Sequence, residues 1–429
     1  MHKLKKCLLI SYYFAPRVGI GSQRPTKLAK YLPHYGWEPV ILTPKLPGQP
    51  LDSMRIIETD YKDALSSFKA FWGFNQRESV QNTLNIHTGK NGNSPALKYR
   101  IIKFAKEIIA YPDQQRGWYK FAVQSGREFL DRERVDVMLS TSYPVTSHII
   151  ASELKKKYRI PWVADLRDLW TQNHFNKKFN IIRRFEQRLE LETLAQADAL
   201  VTVTPRFADK LKILHRNKYI ICITNGYDSD DFLEAAQRWT KKFTITYTGT
   251  FYNGKRDPSL LFDAISSLLK ENRIDRNRLE IRFCGPHDDW LVGAVSKYDL
   301  NDVVTLYGNV SREEALEKQK ESQILLLLLD SNNNEEDVYP AKIFEYFGAR
   351  RPIIAVGGSG GAAKELLDET NAGEFAVDKS ALKAVLYRYY QQFVTFGTVS
   401  CNSNNKVENY IYKSIAGKYS EILNSVMIK

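Results

Sequence analysis

Two carboxylates, Asp337 and Glu345, stand eight positions apart in the segment Asp337-Val338-Tyr339-Pro340-Ala341-Lys342-Ile343-Phe344-Glu345-Tyr346-Phe347-Gly348-Ala349-Arg350-Arg351-Pro352. A carboxylate accepts two hydrogen bonds in a fixed geometry, which suits the hydroxyls of a sugar or a ribose. Pro340 fits the first turn of a helix. Asp337 is therefore expected in a loop and Glu345 just over one turn inside the helix. The start of that helix, at Pro340 to Lys342, offers amide N–H groups to phosphate.

Other segments carry charge or glycine where chemistry needs it. Gly249-Thr250-Phe251-Tyr252-Asn253-Gly254-Lys255-Arg256-Asp257-Pro258 places two cations after a predicted strand. Arg256 is the first choice for a phosphate contact because guanidinium binds phosphate bidentately, and Lys255 is the second; a solvated turn charge is the alternative. Gly19-Ile20-Gly21-Ser22 is a glycine loop that lets backbone approach a ligand. It lacks the G-x-x-x-x-G-K-[ST] pattern, so it is not a P-loop. Asp165-Leu166-Arg167-Asp168-Leu169-Trp170 ends another predicted strand, which directs Asp165, Arg167 and Asp168 toward a cleft, with a buried Arg167–Asp ion pair as the alternative. His148 and His174 are further candidates, although lone histidines are more often structural. Gly357-Gly358-Ser359-Gly360-Gly361 either cradles phosphate or sugar through its N–H groups or is a plain loop.

The elements that must hold these groups alternate along the chain. Strands are predicted at 6–13, 38–43, 135–140, 162–165, 199–204 and 219–223, with helices at 24–34, 98–110, 117–132, 144–157 and 181–196. Residues 45–97 read as an irregular insertion. After the Asn225-Gly226 turn, strands are predicted at 243–248, 279–283, 303–306, 324–329 and 352–356, with helices at 257–270, 312–322, 341–348, 362–368, 380–396 and 407–426. This rhythm gives an α/β chain of two doubly wound, Rossmann-like domains facing a cleft, over 1–226 and 227–406, with 407–429 as a helix folding back toward the first. Ligands of such sheets bind beyond the carboxyl ends of the strands. In the stretch from Lys98 to Tyr111, Ile101, Ile102, Phe104, Ala105, Ile108 and Ile109 share one helical face, with Arg100, Lys103, Lys106 and Glu107 opposite. The face packs on a sheet or rests on anionic lipid.

Bulk properties narrow the class. A chain of 429 residues exceeds one ordinary core. With 43% hydrophobic and 26% charged residues it is globular. It has no apolar run long enough to cross a membrane. Cys7, Cys222, Cys284 and Cys401 are scattered without a CxxC pair, which argues against a zinc site or disulfide framework and fits a reducing cytoplasm. The net charge of +13 suits phosphate-bearing substrates or an anionic membrane surface. No nucleic-acid-binding motif is evident, so no nucleic acid is expected.

The segment around Pro340-Ala341-Lys342-Ile343-Phe344-Glu345-Tyr346 resembles the E-x7-E region of retaining GT-B-fold glycosyltransferases of family 4, notably a bacterial polysaccharide subgroup whose helix reads P-x-K-x-x-E-Y. The likeness runs through nearly the whole chain. It implies that Asp337, one methylene shorter than the usual Glu, contacts the donor sugar and that Glu345 and Lys342 serve the nucleotide end. It also implies that Arg256 and Lys255, with Gly249, face the pyrophosphate. Gly19 and Gly21 match the family's N-terminal glycine loop, and Asp165, Arg167, Asp168 and His148 fall on the acceptor side. Asp228-Ser229-Asp230-Asp231 contains a D-x-D, but it follows Asn225-Gly226-Tyr227, similar to the family's junction between domains, where Asp caps the next turn. The resemblance thus implies no metal and no cofactor. The expected function is transfer of a sugar from a nucleoside-diphosphate sugar to a glycan or lipid-linked acceptor, for lipopolysaccharide or capsule. The expected location is cytoplasmic, peripheral on the inner face of the membrane through about 98–111. A GT-B-fold epimerase and a non-catalytic nucleotide- or glycan-binding protein are the alternatives.

Overall fold

The computed structural model describes residues 4–17, 19–45, 47–48, 53–63, 96–173, 178–233, 238–287, 289–330 and 336–428. The chain divides into two compact units, residues 1–223 with 416–429, and residues 224–415.

The first unit is built on seven parallel strands: β1 (Lys5–Ile10), β2 (Trp37–Pro44), β3 (Arg55–Thr59), β4 (Val137–Ser142), β5 (Trp162–Leu166), β6 (Ala199–Thr202) and β7 (Tyr219–Cys222). Their order is β3-β2-β1-β4-β5-β6-β7. Leu8 lies beside Val40 on one side and Met138 on the other, so β1 is central. Its residues Cys7 to Ile10 are fully buried, as a strand covered on both faces requires. The helices are α1 (Ile20–Tyr31), α2 (Ala96–Ile109), α3 (Tyr119–Arg132), α4 (Thr146–Tyr158), α5 (Asn180–Leu194) and α6 (Pro205–Leu214).

Three features differ from the sequence reading. The span 45–97 was expected to be irregular, yet Arg55–Thr59 pairs with β2 as the sheet edge. Residues 64–95 lie outside the described residues. Helix α6 was not expected, although its start is well marked: Thr204 Oγ1 accepts from Phe207 N at 3.1 Å and Pro205 fills the first helical position. Helix α1 begins four residues earlier than the expected Arg24 and contains Pro25.

The second unit has six parallel strands, β8 (Phe243–Thr248), β9 (Leu279–Cys284), β10 (Val304–Gly308), β11 (Ile324–Leu328), β12 (Ile353–Val356) and β13 (Gly373–Ala376), in the order β10-β9-β8-β11-β12-β13. The unbroken apolar run of β11 is buried throughout between β8 and β12. Helices α7 (Ser259–Lys270), α8 (Asp289–Lys297), α9 (Arg312–Glu321), α10 (Ala341–Ala349), α11 (Gly361–Thr370) and α12 (Lys379–Phe396) cover the sheet. Both α8 and β13 escaped the sequence reading. The expected helix over 407–426 is two elements: a 3-10 turn at Asn405–Tyr410, then α13 (Tyr412–Met427). The boundary between the units falls inside α13, after Ile415.

Candidate functional site

In the second unit the strands β8 and β9 end on glycines that nearly touch. Gly249 N donates to Cys284 O at 2.7 Å, and Gly285 N donates to Gly308 O at 2.7 Å. Gly249 and Gly285 have φ of +149° and +144°. A Cβ on Gly285 would stand 2.2 Å from Gly249 O, so only glycine permits this approach.

Helix α10 brings side chains onto that edge. Tyr346, fully buried, donates from its hydroxyl to Leu326 O at 3.1 Å and accepts from Thr248 N at 3.2 Å, which pins α10 to β8 and β11. Lys342 lies one turn earlier on the same face. Its Cε passes so close to Gly249 that a Cβ there would be 2.2 Å away. Burial holds the Lys342 ammonium pKa below its usual value; Arg256 and Arg312 push the same way and Glu345 opposes them. Three cations therefore share one neighbourhood, and a diphosphate is the kind of anion that relieves their mutual repulsion.

Glu345 is held by a residue that the sequence reading missed. Arg312, the first residue of α9, donates from Nη1 to Glu345 Oε1 at 3.0 Å and from Nη2 to Asp231 Oδ2 at 2.9 Å. Helix α9 is fixed by Ser311, whose Oγ accepts from Glu314 N at 3.1 Å. Asp337 sits half-buried on the turn before α10. The glycine run 357–361 packs against that turn: Ala362 N donates to Glu336 O at 2.9 Å, and Ser359 Oγ donates to the Glu336 carboxylate. The run thus buttresses the approach to α10. Arg256 stacks over the ring of Tyr252, its guanidinium carbon 4.7 Å from the centroid, and Lys255 is exposed beside it. Asp228 accepts from Asp230 N at 3.1 Å and caps the turn Ser229–Phe232.

In the first unit the expected acceptor-side residues separate by burial. Asp165 is buried and receives two hydrogen bonds from Arg24, Nη2 to Oδ1 at 3.0 Å and Nε to Oδ2 at 3.1 Å, plus one from Thr141 Oγ1 at 2.8 Å. Arg24 also contacts the hydroxyl of Tyr419 and donates to Ile223 O at 2.9 Å. The buried ion pair exists, but its cation is Arg24 and not the expected Arg167. Asp165 is accordingly removed from any ligand-facing role.

Arg167 acts on backbone. It donates to the carbonyls of Ser142 and Tyr143 and, at 2.7 Å, to Gly21 O. Gly21 is four residues before Pro25, which has no N–H to give it, so Arg167 supplies the hydrogen bond that proline withholds from α1. Gly21 lies under the ring of Tyr13, where a Cβ would be 3.2 Å from the ring, whereas a Cβ on Gly19 would meet nothing within 4 Å. His148 is fully buried on α4, its Nδ1 2.7 Å from Ser140 Oγ. Burial pushes its pKa down to about 4, so it is neutral and structural, which corrects its acceptor-side assignment. Asp168 is exposed, and surrounding protein raises its carboxyl pKa while Arg167 opposes the rise. His174 lies outside the described residues.

Residues 21–215 match the family model of the glycosyl transferase 4-like domain. No curated protein matches the chain in sequence. Among solved structures, a sucrose-phosphate synthase from Thermosynechococcus elongatus aligns with TM-score 0.61 at 13% identity over 99% of each chain. HepE from Anabaena, in complex with UDP and glucose, aligns with TM-score 0.59 at 12% identity over 98% of this chain and 100% of its own. The lipopolysaccharide outer core galactosyltransferase WaaB, in its apo form, aligns with TM-score 0.53 at 12% identity over 98% of this chain and 99% of its own. These likenesses show the fold: two Rossmann-like α/β units of the GT-B type.

Proposed function

We propose that the chain is a glycosyltransferase that moves a hexosyl group from a nucleoside-diphosphate sugar to a glycan or lipid-linked acceptor with retention of anomeric configuration, in cell-surface polysaccharide synthesis. The observation that carries this reading is Lys342, held over Gly249 among Arg256, Arg312 and Glu345 at the carboxyl edge of the second sheet. The match of residues 21–215 to a glycosyl transferase 4-like domain supports it. So does the capture of a similar fold with UDP and glucose.

In this reading Lys342 and Arg256 neutralise the negative charge that grows on the departing diphosphate, the preorganised electrostatic stabilisation that group transfer needs. Lys255 adds charge at the rim. Glu345, held by Arg312, accepts hydrogen bonds from the ribose hydroxyls. Asp337 orients the donor sugar. The leaving phosphate takes the acceptor proton, and Lys342, Arg256 and Lys255 supply the charge that a divalent metal supplies elsewhere. Asp168, exposed at the carboxyl end of β5, is the acceptor-side carboxylate that remains available.

Incubation with a panel of nucleotide sugars, with and without a bacterial membrane extract, tests the reading. Nucleotide release from one donor that rises when extract is added supports it. Tight nucleotide binding with no release under any condition overturns it in favour of a binding protein.

A further inference from the structure

The short connection between α7 and β9 carries three arginines, Arg273, Arg276 and Arg278. Asn272, at φ +55°, follows the end of α7, and Asp275 Oδ1 accepts from Asn277 N at 2.9 Å to start the 3-10 turn Arg276–Arg278. The connection leads into the first residue of β9, so it lies at the amino edge of the second sheet. The last turns of α12 return to the same edge, because α12 follows β13. Tyr390 of α12 accepts from Asp275 N at 3.0 Å and ties the two together.

Between them opens a cavity of about 630 Å³. Small-molecule sites span about 300–1,000 Å³. The charges on its wall do not balance. Arg276 is spent on two carboxylates, donating from Nε to Asp302 Oδ2 at 2.7 Å and from Nη1 to Asp299 Oδ2 at 3.3 Å. Asp275 is held by the turn that it caps. Arg273 and Arg278 form no ion pair and donate no side-chain hydrogen bond among the described residues. Each lies over an aromatic ring instead, with the guanidinium carbon of Arg273 3.7 Å from the Tyr387 centroid and that of Arg278 5.0 Å from the Phe393 centroid. Such stacking orients a guanidinium and leaves its N–H fork for an outside acceptor. Lys270 adds a third cation to the wall.

Two hydroxyls line the same space. Tyr390, 5% exposed, accepts from Asp275 N and keeps its own proton to donate. Ser266, 8% exposed, makes no side-chain hydrogen bond to any described residue. A buried hydroxyl left unpaired costs free energy that a polar ligand recovers. Leu269, Ile274 and Val394 make the remaining wall apolar.

We infer that this cavity binds a small organic phosphate monoester, with its phosphate on Arg273 and Arg278 and its apolar body against Leu269, Ile274 and Val394. Guanidinium forks match the oxygens of a phosphate bidentately. The site is separate from the donor edge, because Gly249 and Lys342 stand at the far end of β8, and that strand's six residues span about 20 Å. The inference is independent of the transferase reading.

Calorimetric titration of the full chain with phenyl phosphate, inorganic phosphate and phenol tests it without donor or acceptor. Phenyl phosphate is expected to bind at least about ten-fold more tightly than either fragment, because only it engages both walls. R273Q/R278Q is expected to weaken phenyl phosphate binding at least about ten-fold, since charge-assisted hydrogen bonds are lost. V394E alters an exposed rim residue, keeps the wild-type Tm and sets a carboxylate near the phosphate, so binding is expected to weaken at least about five-fold. K342Q, at the donor edge, is expected to bind phenyl phosphate as the wild type does. No binding by the wild type up to about 10 mM probe overturns the inference. So does wild-type affinity in either folded cavity variant, or a loss of binding in K342Q, which would place the probe in the donor site. Inorganic phosphate bound as tightly as phenyl phosphate also overturns it, leaving no organic ligand. If R273Q/R278Q fails to fold, V394E decides alone.

Discussion

The stem of Lys342 crosses Gly249 so closely that a Cβ there would stand 2.2 Å from its Cε, and any side chain at position 249 would push the lysine aside. The positive φ of Gly249 and the contact with Lys342 impose the same residue, and the glycine sits at the end of β8, where a ligand of a parallel sheet binds. G249A must either displace Lys342 or strain the backbone. The expected result is a rise in donor KM of about ten-fold or more, with a smaller change in Tm than a core truncation gives. Steady-state kinetics against the cognate donor, with thermal unfolding in parallel, checks it.

Arg312 ties Glu345 to Asp231 and has no chemistry of its own to perform. It is a positioning residue. R312Q keeps one short hydrogen-bonding group but loses the fork that spans both carboxylates. Nucleotide affinity is expected to fall by about ten-fold, and R312K is expected to recover little of it. Calorimetric titration with the nucleoside diphosphate measures both, and a variant that binds as the wild type does would remove Arg312 from the site.

The two carboxylates of the Asp165-Leu166-Arg167-Asp168 segment are expected to respond oppositely. D165N leaves the Arg24 charge buried without its counter-ion, which costs about 3–5 kcal/mol. D168N changes an exposed group and is expected to alter stability by less than about 0.5 kcal/mol while lowering turnover. Urea unfolding and donor turnover on both variants separate the roles.

His148 gives a pH signature of folding. Its pKa in the folded chain is about 4, against 6.5 in the unfolded chain. Below 6.5 the unfolded chain takes up a proton that the folded one refuses, so stability falls as pH drops through the window from 6.5 to about 4. The contribution amounts to about 3 kcal/mol across that window. Unfolding measured at pH 7 and pH 5 is expected to show a larger loss for the wild type than for H148Q.

Much of this was legible in the sequence where one short segment decides its own structure. The apolar run of β11 and the Pro340 start of α10 are local facts, and both stand as read. Strand β3 hid because an edge strand, Arg-Ile-Ile-Glu-Thr, buries little and sits inside a long connection. Helix α6 carries a local start signal in Thr204-Pro205, but its ten residues lack the length that marks the longer helices. The partners of charged groups were not legible, because Arg24 finds Asp165 across 141 positions and Arg312 finds Asp231 across 81. Sequence spacing offers Arg167 as the partner of one of the two aspartates, whereas the missing N–H of Pro25 gives Arg167 a different task.

The central claim is that Lys342 and Glu345 hold the nucleotide end of a sugar donor. Its most direct test is nucleoside-diphosphate binding and donor turnover by E345A beside the wild type, with folding verified by the unchanged thermal transition. The expected result is loss of turnover and a fall in affinity of at least about ten-fold. Full turnover with wild-type affinity in E345A would contradict the account.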